Sequence, residues 1–299
     1  MLVLVRREAY TPRNEIQRFY PNSTSATSTH PQQDPLMIPV YLILALLAAF
    51  FHSVSGLYNK QAMAHGCSPL RIFMMQAWIG SLLMSPLLFY GAPVPPSMWW
   101  QPVVTALFWF SGAAVFVYTL RDGDLSIVGP VAGIKPVFNA LLIALVLQID
   151  VPAATWIACG LAAIALAVMR TPSSRGSHSF KRTALQTLLA MLLFAITDLC
   201  IQRWAQNWGA LRFSSLLFLG GSLCSLSLYP MMGMPYRELP AIARRNLWIG
   251  TPLASLPGIL IGVAIGQYGH GAEINIGYSS HVLITLPIVW FLGRHVGNH

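Results

Sequence analysis

Nine predominantly apolar stretches, bounded by proline, glycine or charge, follow one another along the chain. They cover residues 38–59, 70–90, 98–119, 125–148, 152–169, 184–207, 211–233, 246–268 and 274–292. A helix needs about 20 such residues to cross the hydrocarbon core of a bilayer, and the stretches run at or near that length. Runs of about ten residues alternating apolar and polar, the pattern of a membrane β-barrel, are not seen. The pattern predicts an all-α fold, a polytopic membrane helical bundle. The polar connections are short except for one basic segment, RTPSSRGSHSFKR at Arg170–Arg182, which divides five stretches from four.

The two halves resemble each other weakly. At an offset of 143, Leu46, Phe51, Ala62 and Gly66 meet Leu189, Phe194, Ala205 and Gly209, and Asn59-Lys60 meets Gln202-Arg203. At an offset of 141, Leu70-Arg71 meets Leu211-Arg212, and Gly80-Ser81-Leu82 meets Gly221-Ser222-Leu223. An odd number of spans inverts the second copy, so the expected architecture is an inverted repeat of five helices, with about nine of an expected ten present. The predicted organisation is a disordered or untranslated tail (1–36), a first repeat (37–169), a basic linker (170–183) and an incomplete second repeat (184–299).

Composition sharpens this picture. The chain of 299 residues is 55% hydrophobic and only 9% charged, against about 25% charged in a soluble domain. The net charge of +9 lies mostly in loops and in the tail, where it orients the protein and meets headgroups rather than nucleic acid. Lys60, Arg71, Arg121, Arg170, Arg175, Lys181, Arg182, Arg237, Arg244, Arg245 and Arg294 fall on one side, but only Arg203 and Arg212 on the other, tail aside. Positive-inside counting puts the first side in the cytoplasm. The cysteines, Cys67, Cys159, Cys200 and Cys224, are scattered without ligand spacing. No metal site and no cofactor is expected, and no catalytic constellation or phosphate loop is present.

The polar residues inside apolar stretches carry the candidate chemistry. Lys135 interrupts LSIVGPVAGIKPVFNALLIALVLQ (Leu125–Gln148), a run also broken by Pro130 and Pro136. An ammonium at mid-membrane costs about 2.5–3.5 kcal/mol on insertion scales and is kept where it faces a cavity, a partner or a ligand. On a helix it shares a face with Asn139, and Pro136 frees the carbonyl of Ala132. Together these groups suit a carboxylate or phosphate. Asp198 in the sixth stretch is either a proton-coupling group or the counter-ion of Lys135 or Arg203. His52, Ser55 and Asn59 form a stripe on the first stretch, as a binding surface or as interhelical glue. His281 lies within two positions of the Lys135 equivalent once Gly129 is matched to Gly277. The ladder Gly258, Gly262, Gly266 reads as close helix packing.

With these residues in view, Met37–His299 resembles the drug/metabolite transporter superfamily in its EamA-type branch. The resemblance is carried by YTLRDGDLSIVGPVAGIKPVFNALLIALVL (Tyr118–Leu147), with its Gly123-Asp124-Leu125-Ser126 turn, by His52 with Asn59-Lys60, by Tyr278-Ser279-Ser280 and by Trp290-Phe291-Leu292-Gly293. The chain departs from the family in ending its fourth stretch Gln148-Ile149-Asp150 and in lacking a tenth helix. The resemblance implies a secondary transporter, not an enzyme: an exporter or permease of small metabolites in the cell (inner) membrane. Lys135, Asn139, His52, Asn59 and His281 would face substrate, and Asp198 would carry a coupling proton or serve as counter-ion. An ion gradient is the expected drive, and a homodimer is a further expectation. The alternative is a non-transporting truncated remnant, or a partner subunit of a membrane complex.

Overall fold

The computed structural model describes residues 39–91, 93–122, 125–168 and 177–296. The tail (1–36) and most of the linker (170–176) lie outside the described residues. Every described element is helical, and seven helices are long and apolar enough to cross a membrane.

The first three stretches become α1 (Val40–Ala64), α2 (Pro69–Met84, continued as a 3-10 turn to Phe89) and α3 (Trp100–Asp122). The start of α2 is written locally: Ser68 accepts from the Arg71 N–H at its N-cap and Pro69 stands at the first helical position. The fourth stretch is discontinuous, as its prolines predict. It divides into α4 (Leu125–Ala132) and α5 (Lys135–Leu142), then loosens into a π turn ending at Gln148, whose backbone is left-handed. Pro136, at the second position of α5, has no N–H to give and so begins a helix more readily than it continues one.

After α6 (Ala153–Val168), the second half consists of α7 (Ser177–Trp208), α8 (Ala210–Ser225), α9 (Ala241–Tyr268), α10 (Gly271–Ser279) and α11 (His281–Val296). The ninth stretch therefore also has a break, at Ser280, whose N–H turns back to the Gly277 carbonyl. No proline marks that place. Helix α7 begins inside the basic linker, because Ser177–Arg182 continue its backbone ladder beyond the apolar window.

Packing between the halves is reciprocal. Helix α1 lies against α9, α10 and α11, α7 lies against α3, α4 and α5, and α2 faces α8. The first span of each half thus packs against the third and fourth spans of the other. Outward positions such as Leu82, Leu145, Leu161, Leu185 and Leu283 are exposed hydrophobics, the surface a lipid phase wets. The main buried cluster sits where α1 begins and α7 ends. There Trp208, Phe213, Met84, Ile265 and Ile274 pack with Ala45 and Ala205. Fully buried Trp208 donates its indole N–H to Gln101 Oε1 at 2.9 Å.

Small residues let these helices approach. A Cβ on Gly258 would meet Phe218 at 3.2 Å, on Gly262 Ser214 at 3.5 Å, and on Gly266 both Ala205 and Ala210 at 3.0 Å. The ladder read from the sequence is thus where α9 meets α7 and α8. Gly266→Val should lower stability by about 1–3 kcal/mol through overpacking. Gly160→Ala, where a Cβ meets nothing within 4 Å, should leave it unchanged. Thermal unfolding of the detergent-solubilised protein, followed by loss of monodisperse elution, measures both.

Candidate functional site

The break in the fourth stretch places Lys135 first in α5, and the break in the ninth places His281 first in α11. Each of these basic side chains thus opens a helix after a break, the two 146 residues apart rather than the 148 set by matching Gly129 to Gly277. Helix α7, which packs against α3, α4 and α5 of the first half, carries Asp198.

Asp198 gathers three donors on one oxygen. Its Oδ2 lies 2.9 Å from Lys135 Nζ, accepts from Asn139 Nδ2 at 3.1 Å and accepts from Asn275 Nδ2 at 2.9 Å. Lys135 and Asn139 come from α5, Asp198 from α7 and Asn275 from α10, so one carboxylate ties three helices of both halves. Asp198, Asn139 and Asn275 are buried, while the Lys135 side chain keeps 18% exposure. The Lys135 ammonium also sits 5.8 Å from the centre of the Phe194 ring. One turn beyond Asp198, Gln202 Oε1 accepts the Gly271 N–H at 3.3 Å, pinning the start of α10 to α7.

This pair is not sealed off. Lys135, Asp198 and Asn275 line a cavity of about 680 Å³ bounded by α1, α2, α3, α4, α5 and α7 to α11. Small-molecule sites span about 300–1,000 Å³. The lining runs from Asp198 at mid-bundle towards the end where α1 finishes and α2 begins, at Asn59, Met63, Pro69 and Leu120. The opposite end is filled by the Trp208 cluster. Across from the charged pair the wall is aromatic: Phe73 and Trp109 rings are 5.5 Å apart, and Trp109 and Phe218 5.6 Å. A Cβ on Gly221 would lie 2.5 Å from the Trp109 ring, so the glycine gives the indole its seat on α8.

The remaining sequence candidates divide. His52 Nδ1 pairs with the Tyr278 hydroxyl at 2.9 Å, and its ring stands 4.7 Å from that of His281, centre to centre. Both histidines and Asn59 line the cavity. Asn59 Oδ1 is buried beside Gly250 with no hydrogen-bond partner among the described residues. Ser55 also reaches the cavity wall, but its hydroxyl is given to the His52 carbonyl of its own helix. Asn139 is buried and gives its amide to the Asp198 carboxylate. Of the two roles open to Asp198, the geometry displays that of counter-ion to Lys135.

Asn275, Tyr278 and the aromatic wall escaped the sequence reading. Asn275 had the same signal as Asn139, an amide inside an apolar stretch. The aromatic wall had none, since Phe73, Trp109 and Phe218 come from three helices with no common spacing. No three His, Cys, Asp or Glu side chains converge in a metal-binding group among the described residues.

A solved structure known as "Crystal structure of protein" shares this fold at a TM-score of 0.66, covering 87% of this chain and 89% of its own, at 13% identity. No curated protein matches the chain. Residues 39–171 match the model of the EamA-like transporter family, and that match and this helical architecture are consistent with an EamA-type drug/metabolite transporter.

Proposed function

We propose that this chain is a secondary transporter of small organic anions that carry an apolar, ring-sized body, working by alternating access. One observation supports the reading above the others: a lysine–carboxylate pair stands in the wall of a cavity that both halves bound. Ionisable side chains inside a membrane bundle are kept mainly where they pair with one another or face a polar cavity on a substrate or ion path, and this pair does both.

In this mechanism the empty protein keeps Lys135 neutralised by Asp198. An arriving carboxylate or phosphate competes for the ammonium while its apolar body rests on Phe73, Trp109 and Phe218. Asp198 then loses its counter-charge and becomes the group that takes a coupling proton from the gradient. His52, His281 and Asn59 supply further polar contacts from α1 and α11. Asn139 and Asn275 hold the carboxylate in place in both states. Access alternates when the Met63 and Leu120 end closes and the Trp208 cluster at the other end parts. By charge counting the end now reached by the cavity is cytoplasmic.

Transport into proteoliposomes of an anion that the parent protein moves, found by screening labelled compounds, tests the reading. Lys135→Ala should raise the apparent KM by about tenfold or more, the worth of one charge-assisted hydrogen bond, and Lys135→Arg should retain part of the activity. Transport at the parent rate by both variants, at equal membrane levels, overturns the anchoring role.

The pair also makes a stability prediction. Asp198→Ala should cost about 3 kcal/mol by stranding a lysine in the bundle. Lys135→Ala with Asp198→Ala should recover more than half of that loss in thermal unfolding, yet remain unable to accumulate substrate against a gradient.

A further inference from the structure

Four buried side-chain atoms lack a hydrogen-bond partner among the described residues, and three of them belong to residues of the cavity wall: Asn59 Oδ1, Ser214 Oγ and Asn275 Oδ1. Asn275 is engaged through its N–H groups, by Asp198 and by the Gly271 carbonyl. Asn59 differs, since neither end of its amide has a partner among the described residues. A buried amide oxygen without a donor is destabilising, and a leucine of similar size would remove that cost. Yet the fold makes room for this amide. A Cβ on Gly250 of α9 would stand 2.4 Å from Asn59 Oδ1, so the glycine is what lets the side chain lean in. With Oδ1 turned to α9, the Nδ2 group is the end left to the cavity.

One turn along α9 a second amide is held. Gln76 of α2 donates from Nε2 to the Ala254 carbonyl at 2.8 Å, and its own backbone carbonyl accepts from Ser255 Oγ at 2.9 Å. These bonds fix which way the amide faces. Nε2 is engaged with α9, and Oε1, without a partner among the described residues, is left to the cavity that Gln76 lines. Positions 250 and 254 lie about 6 Å apart along a helix. A free donor from α1 and a free acceptor from α2 therefore meet the same helix on successive turns. A hydroxyl can accept from the first and donate to the second. Neither amide touches the charged group at Asp198. On α1, Asn59 lies beyond His52 by a rise of about 10 Å, towards the open end of the cavity.

We propose that Asn59 and Gln76 form a second subsite of the cavity, which takes a hydroxyl group at the far end of an elongated aromatic anion. The anionic head lies at Lys135, the rings lie along Phe73, Trp109 and Phe218, and the hydroxyl lies between Asn59 Nδ2 and Gln76 Oε1. The subsite rests on the transport reading for its anchor at Lys135. It narrows the substrate class to acids that carry a hydroxyl about 10 Å from the carboxylate, the rise from His52 to Asn59.

The test measures, by calorimetric titration, the binding of two rigid acids to the full-length protein in lipid nanodiscs. They are biphenyl-4-carboxylate and its 4′-hydroxy derivative. The hydroxyl should tighten binding to the parent about tenfold, the worth of one or two neutral hydrogen bonds. In Asn59→Leu and in Gln76→Leu that gain should fall to about twofold or less. The unhydroxylated acid should bind both variants as it binds the parent, which also reports that they are folded. Lys135→Ala should weaken both acids equally and leave their ratio unchanged. Lys135-dependent binding of both acids with no gain from the hydroxyl, or a gain that survives either amide variant, overturns the subsite and leaves the transport reading standing. Binding of neither acid overturns both.

Discussion

The convergence of Lys135, Asn139 and Asn275 on Asp198 is the constraint around which the rest is arranged. Helices in a bilayer gain little from hiding apolar faces from one another, because lipid tails are equally apolar. Register between them must come from close fit and from polar contacts that lipid cannot replace. A carboxylate on α7 that needs donors from α5 and α10 sets the rotation of three helices at once. It also joins the halves at the level where both broken spans restart. The breaks follow from the same need: a continuous fourth helix would carry no exposed helix start at the depth where the lysine is required.

Around this joint the two ends of the bundle are packed differently. At one end alanines at 45 and 205 let helices meet around Trp208 and Phe213, leaving no space. Towards the other, α1, α2 and α3 line the cavity with Asn59, Met63, Pro69 and Leu120. Gly266 of α9 permits the first arrangement, since a Cβ there would crowd Ala205 and Ala210.

Much of this was legible in the sequence. The apolar stretches predicted the helical bundle, and Pro136 with Gly133 marked the break in the fourth span. Lys135 and Asp198 declared themselves as charges in oil, with the pairing left open between Lys135 and Arg203. The break at Ser280 was not legible, because serine and glycine interrupt a helix only when the tertiary setting favours a tighter turn. The bond from Asn139 to Asp198 was not legible, because a shared helix face says which residues are neighbours, not where each amide is given. The wall of Phe73, Trp109 and Phe218 depended on how three helices cross, which no local spacing encodes.

The seat that Gly221 makes for Trp109 has a consequence for how such a protein diversifies. The indole's lean is set from behind, by a position on α8 that no solute meets. A side chain placed there would press on the ring and reshape the hollow, without altering Lys135 or Asp198. Selectivity by size could then drift independently of selectivity by charge, each governed by its own residue.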